Sequence, residues 1–212
     1  MNVKLPIPFQ QIACRYEEVK SHGDALYEFI ANPENHKYKV INKDIWPDGM
    51  IEGYYHATPH YALEVESWMS SSKLQEQYRN EFYKWSGLAN TPEVNQYLTD
   101  YINLVKPLVQ FVTEALTAFD SSKRWVLREF EVNRIIPGGY IRPHRDQHWF
   151  AEATQRVHLV LTTNPEAYVI AEGVKVNWPV GSCFIINNRM LHEVLNNGDT
   201  DRTHLVTDYY AL

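Results

Sequence analysis

After Thr91 and Pro92, apolar residues fall at Val94, Leu98, Tyr101, Val105, Leu108, Val112, Ala115 and Phe119. The steps alternate between three and four, the period that sets side chains on one stripe of an α-helix. Thr91 suits an N-cap and Pro92 a first helical position. Pro107 lies inside the run, so the pattern predicts either a kinked helix or two helices. Residues 61–120 as a whole read as helical, a support packed against a sheet.

From Trp125 the pattern changes. "WVLREFEVNRI", "RVHLVLTT", "YVIAEG", "VKVNWP", "CFIINN", "HEVLNN" and "RTHLVTDYY" are short, rich in Val, Ile and Thr, and divided by Gly, Pro and Asn. Such spacing predicts an all-β sandwich or barrel. A jelly-roll fits, with two sheets and a mouth between them. Residues 1–60 carry short apolar runs broken by Pro, Gly and Asn, which predict loops, short strands and a helix near Gly23–Ala31. The fold class expected is therefore mainly β (α+β): a cupin-like double-stranded β-helix at 125–212, with supporting helices on one face. The 212 residues suit one domain.

Composition narrows the function classes. A formal net charge of −6 argues against a nucleic-acid partner, whose phosphates call for a basic patch. The chain has no apolar stretch of about 18 residues, so no membrane span is expected. The first twenty residues lack a signal-peptide apolar run, and no secretory leader is expected. The two cysteines, Cys14 and Cys183, lie far apart without a Cys-x-x-Cys pair. A disulfide framework is not expected, a reducing cytoplasmic setting is, and both cysteines read as small buried residues. Nothing in the pattern addresses oligomeric state.

The chemistry concentrates in "PHRDQH" at 143–148. A polar surface loop is one reading of it and a metal site short of a ligand is the other. In an extended segment His144 and Asp146 share a side, so an imidazole and a carboxylate can converge on one ion, while Arg145 and Gln147 face away. His192, in "NNRMLHEVLNN", opens a candidate strand and can complete the set. Two histidines and a carboxylate form the facial triad of non-haem Fe(II) oxygenases, which leaves positions open for a cosubstrate and O2. Arg202 follows ten positions after His192, and its guanidinium fork suits the carboxylate of an oxo-acid. His148 reads as a residue of the mouth that touches substrate. His204 reads as packing or hydrogen bonding behind the site.

Four blocks carry a family resemblance: "PGGYIRPHRD" at 137–146, "RVHLVL" at 156–161, "VGSCFIINNRMLHEVLNNGD" at 180–199 and "RTHLVTDYY" at 202–210. In these blocks the chain resembles the aspartyl/asparaginyl β-hydroxylases, which are Fe(II)- and 2-oxoglutarate-dependent oxygenases. The blocks span roughly the last 90 residues; the first 120 match no motif. The resemblance implies that His144 and His192 bind the metal and that Arg202 grips the far carboxylate of 2-oxoglutarate. Arg156 and His158 match a pair near the other end of the cosubstrate or the substrate. Asn133 stands where a small polar residue helps hold the far carboxylate. The best-known animal members have Gly in place of the carboxylate ligand, whereas this chain has Asp146. That implies three-ligand iron binding and argues against halogenation, which needs the position vacant.

The function expected is hydroxylation of an unactivated C–H in an amino acid, or in an amino-acid side chain of a peptide or protein, using O2 and 2-oxoglutarate and releasing succinate and CO2. Arg156 would pair with a substrate carboxylate. The alternative is a non-catalytic jelly-roll protein that binds a metal or a small acid. A cupin-like zinc hydrolase is disfavoured, because it has no need of Arg202 at that place.

Overall fold

The computed structural model describes residues 7–38, 54–55, 60–63, 90–147 and 149–212. Eleven strands and two long helices occur among them. The N-terminal part gives β1 (Phe9–Cys14), helix α1 (Tyr16–Ala31), β2 (Tyr54–Tyr55) and β3 (His60–Leu63). Helix α2 (Pro92–Phe119) follows. The remainder is β4 (Trp125–Ile135), β5 (Tyr140–His144), β6 (Thr154–Thr162), β7 (Ala167–Ala171), β8 (Val174–Val176), β9 (Ser182–Ile186), β10 (His192–Asn196) and β11 (Arg202–Ala211).

The large sheet runs β1-β9-β6-β11-β4, with β2 and β3 both pairing with β4. The small sheet runs β5-β10-β7-β8. All pairings are antiparallel. Antiparallel strands can bury one face on helices and the other on a facing sheet, and this chain does both. On the outer face of the large sheet, Leu127, Phe130, Val132, Val157, Leu159, Leu161, Ile185 and Leu205 meet Val19 and Leu26 of α1 and the buried stripe of α2. Between the sheets, Ile135, Ile141, Val169, Ile186 and Val194 form a second core, with Phe9 and Trp178 against it. The result is the jelly-roll with helices on one face.

Helix α2 begins as its sequence predicts: the Thr91 side chain accepts from the Val94 N–H at 3.3 Å, and Pro92 takes the first helical position. It continues through Pro107 as one helix. The lost backbone donor is tolerated because Val105, Leu108, Val109 and Val112 around it are buried on the sheet. Phe119 departs from the stripe, standing 44% exposed at the helix end. Residues 61–63 lie in β3 rather than in a helix, because they pair with β4, and 64–89 fall outside the described residues. Helix α1 starts at Tyr16, ahead of the predicted Gly23. A half-buried polar latch holds it to the barrel: Tyr27 donates to Asp201 at 2.8 Å, and Arg134 Nε donates to the same carboxylate oxygen at 2.5 Å. Cys183 is buried and Cys14 is exposed, which corrects the expectation for Cys14: it ends β1 at the sheet edge. No helix among the described residues is long and apolar enough to cross a membrane.

Candidate metal centre

His144 ends β5 and His192 opens β10, and the two residues are register partners across the small sheet. Their rings lie 4.2 Å apart between centroids. Asp146 follows two residues after His144, just past the strand end. One ligand atom from each of the three lies within 4.8 Å of the others. Neighbouring strands therefore bring together His144 and His192, 48 positions apart in sequence. Arg145 and Gln147 are exposed, as expected, with Arg145 paired to Glu172.

Each ligand is held from behind. His144 Nδ1 lies 2.8 Å from the Arg142 carbonyl, and His192 Nδ1 lies 2.9 Å from the Met190 carbonyl. A carbonyl only accepts, so each Nδ1 carries the proton and each Nε2 presents a lone pair. Both histidines use the carbonyl two residues back, so the strand itself fixes the tautomer. Burial pushes the His192 pKa down to about 4, with the His144 charge adding to it, and the ring stays neutral as a metal ligand requires.

Asp146 is anchored at three points. Its N–H donates to the Asn188 carbonyl at 2.9 Å. Its Oδ2 accepts from Asn188 Nδ2 at 2.8 Å and from Arg156 Nη1 at 2.7 Å. Oδ1 is left towards His144 Nε2, at 3.5 Å. Burial alone would raise this carboxyl, but Arg156 and the two histidines overrule it and hold the pKa well below the usual carboxylate range. Two bare imidazole nitrogens and the carboxylate oxygen that Asn188 and Arg156 leave over are a donor set that suits a divalent first-row metal.

Arg156, on β6, is committed to carboxylates. Beyond Asp146 it donates to both oxygens of Asp208, at 3.2 and 2.7 Å, and lies 3.8 Å from Glu129. Burial pushes the Asp208 carboxyl up, and Glu129 beside it adds to this against the pull of Arg156. His158, two residues on, stacks on Phe184 with 5.2 Å between centroids. Burial, with Arg202 adding, depresses its pKa well below the ordinary value. Arg202 is among the largest fully buried side chains, at 2% exposure, and opens β11 opposite Ile135. Asn133 pairs in register with His204. Its Nδ2, the half that can donate to a carboxylate, is turned to Glu131 Oε1 at 2.9 Å, and its Oδ1 is buried without a partner. His148 lies outside the described residues.

The inner face of the large sheet thus grades from an ion-pair cluster of Arg156, Asp208 and Glu129 beside Asp146 to the buried guanidinium of Arg202. A buried cation flanked by the neutral imidazoles of His158 and His204 fits the carboxylate of an oxo-acid. Asn188 and Asp208 were not among the predicted site residues. The signal for Asp208 was present: 202, 204, 206 and 208 alternate onto one face of β11. Asn188 lies in a turn, where alternation gives no direction.

The family model described as aspartyl/asparaginyl beta-hydroxylase matches residues 64–211, well over half of the chain and further upstream than the four sequence blocks. The chain belongs to this family of Fe(II)- and 2-oxoglutarate-dependent oxygenases, and its cofactors are Fe(II), 2-oxoglutarate and O2. It is a hydroxylase. No curated protein matches the sequence. Among solved structures, the chain is similar to a prolyl hydroxylase from Trichoplax adhaerens in complex with a hypoxia inducible factor oxygen degradation domain peptide fragment, with a TM-score of 0.56 and 12% identity over 99% of this chain and 84% of that one. It is similar to the viral collagen prolyl hydroxylase from Paramecium Bursaria Chlorella virus-1, with a TM-score of 0.54 and 11% identity over 100% and 99% of the two chains. A 2OG-Fe(II) oxygenase family oxidoreductase from Burkholderia pseudomallei gives a TM-score of 0.52 and 16% identity over 97% and 85%. At these identities the likenesses speak for the fold.

Proposed function

We propose that His144, Asp146 and His192 hold Fe(II), that Arg202 binds the far carboxylate of 2-oxoglutarate, and that the enzyme hydroxylates an unactivated C–H of an amino acid or of an amino-acid side chain in a peptide. The observation that carries this reading is the convergence of three ligand atoms within 4.8 Å, with both histidine tautomers set by backbone carbonyls. Bound Fe(II) supplies the O2 activation that couples decarboxylation of 2-oxoglutarate to C–H oxidation. The chain's own residues do the rest. His144 and His192 present Nε2 lone pairs. Asn188 and Arg156 hold Oδ2 of Asp146 and so aim Oδ1 at the metal. Arg202 fixes one end of the cosubstrate by charge and geometry.

Arg156 is already paired with Asp146 and Asp208, which favours a role in holding the carboxylate ligand over pairing with a substrate carboxylate. His158 lies between Arg202 and the metal ligands and is assigned to the wall that the cosubstrate passes. Asn133 can serve the far carboxylate once its amide turns from Glu131. Screening amino acids and short peptides with Fe(II), 2-oxoglutarate and O2 tests the reading. Stoichiometric succinate together with a product heavier by one oxygen is expected. Fe(II) binding with no succinate from any of them would favour the non-catalytic binding protein.

A further inference from the structure

At the start of β11, Arg202 Nη2 lies 2.8 Å from His204 Nδ1. A guanidinium has donors only, so His204 Nδ1 presents a lone pair and the ring proton sits on Nε2. Residues 202 and 204 share the inner face of β11. The imidazole is clamped: it meets His158 and Phe184 edge-on, with centroids 5.6 and 6.0 Å away, and His158 Nδ1 lies 3.4 Å from the same Nδ1. Only 3% of the residue is exposed. Burial, with the Arg202 charge adding to it, keeps the ring neutral and therefore able to accept. A long, rotamer-rich arginine has thus been given one rigid acceptor beside it.

We propose that His204 is a positioning residue for the cosubstrate: its Nδ1 fixes the Arg202 guanidinium in the orientation that receives the far carboxylate of 2-oxoglutarate. An arginine ordered before binding loses less freedom when the anion arrives, so affinity rises without any contact between His204 and the ligand. The inference rests on the assignment of Arg202 to 2-oxoglutarate.

The test compares two substitutions of similar chemistry. His204→Asn places its carbonyl oxygen where Nδ1 stood. His204→Gln places it one bond further out, where Nε2 stood, and misses Arg202. Anaerobic calorimetric titration of 2-oxoglutarate into the Fe(II)-loaded proteins should give H204N within about threefold of the parent and H204Q weaker by about tenfold or more. Fe(II) stoichiometry should be unchanged in both. A packing role predicts the reverse order, because Gln matches the histidine volume better, so H204Q binding as well as H204N overturns the inference. In the unmodified protein, ring-nitrogen NMR should find His204 with a bare Nδ1; a protonated Nδ1 overturns the inference with no variant needed. Arg202→Leu separates the two levels. If R202L binds 2-oxoglutarate like the parent, the assignment of Arg202 fails and takes the inference with it. If R202L loses binding while H204N and H204Q are equal, the positioning inference fails alone.

Discussion

Asn188 touches Asp146 twice, once through its carbonyl and once through its side chain. Removing the side chain leaves the backbone contact and frees Oδ2 from one of its two donors, so Asp146 keeps its place but loses its aim. Asn188→Ala should weaken Fe(II) binding by about tenfold, as is common when a partner behind a ligand is lost. Competition against a chromophoric chelator measures this, and unchanged affinity would mean that Arg156 alone holds the carboxylate. His192→Ala removes a ligand and should abolish both iron binding and turnover. The convergence of His144, Asp146 and His192 was legible in the sequence because His144 and Asp146 are two apart in an extended segment and His192 opens its own strand. Asn188 was not legible, since its contacts come from a turn between β9 and β10. Nor were the commitments of Arg156, which depend on Asp208 of the neighbouring strand.

The turns and latches hold the elements in place, and two glycines separate their effects. Gly181 has φ +84°, and a Cβ there would stand 2.8 Å from the Tyr16 backbone, where the loop before β9 meets the start of α1. Gly138 has φ +77° but open space around it, in the turn between β4 and β5. Gly138→Ala therefore suffers only the backbone term, about 1 kcal/mol, whereas Gly181→Ala adds a clash with main chain that cannot move aside, for a total of about 3 kcal/mol. Urea unfolding should rank them in that order; equal losses would contradict the close approach. The strands of the C-terminal half were readable as short runs rich in Val, Ile and Thr between Gly, Pro and Asn, and β4 matches its sequence run from Trp125 to Ile135. Strand β1 was legible only as one of the short strands expected in residues 1–60, because it is an edge strand whose partner β9 lies far away in sequence. Pro107 left one helix and two helices both open, because its cost is local and the burial that offsets it is tertiary; the structure has one helix.

Across the whole molecule, three buried histidines, His158, His192 and His204, have pKa values pushed below the ordinary value. Below the ordinary histidine pKa the unfolded chain takes up these protons before the native barrel does, so their contribution to stability is present above that pKa and is lost as the pH falls. Asp208 works in the opposite sense, since its carboxyl is raised and the native state takes up its proton first. Three groups acting in one sense against one in the other leave a net loss of stability as the pH falls. Denaturant midpoints of the apoprotein should therefore fall steeply below pH 6, and a flat profile from pH 7 to 5 would contradict the neutral histidine interior. Iron held by His192 would compete with that residue's proton, so acid should also weaken metal binding.

The central claim is that one divalent iron binds at His144, Asp146 and His192 with 2-oxoglutarate beside it. Anaerobic addition of Fe(II) and then 2-oxoglutarate to the apoprotein tests it most directly, read as a weak visible charge-transfer band. The account predicts a band that saturates at one iron per chain and disappears in His192→Ala. Iron binding without a band, or a band that survives in His192→Ala, would contradict it.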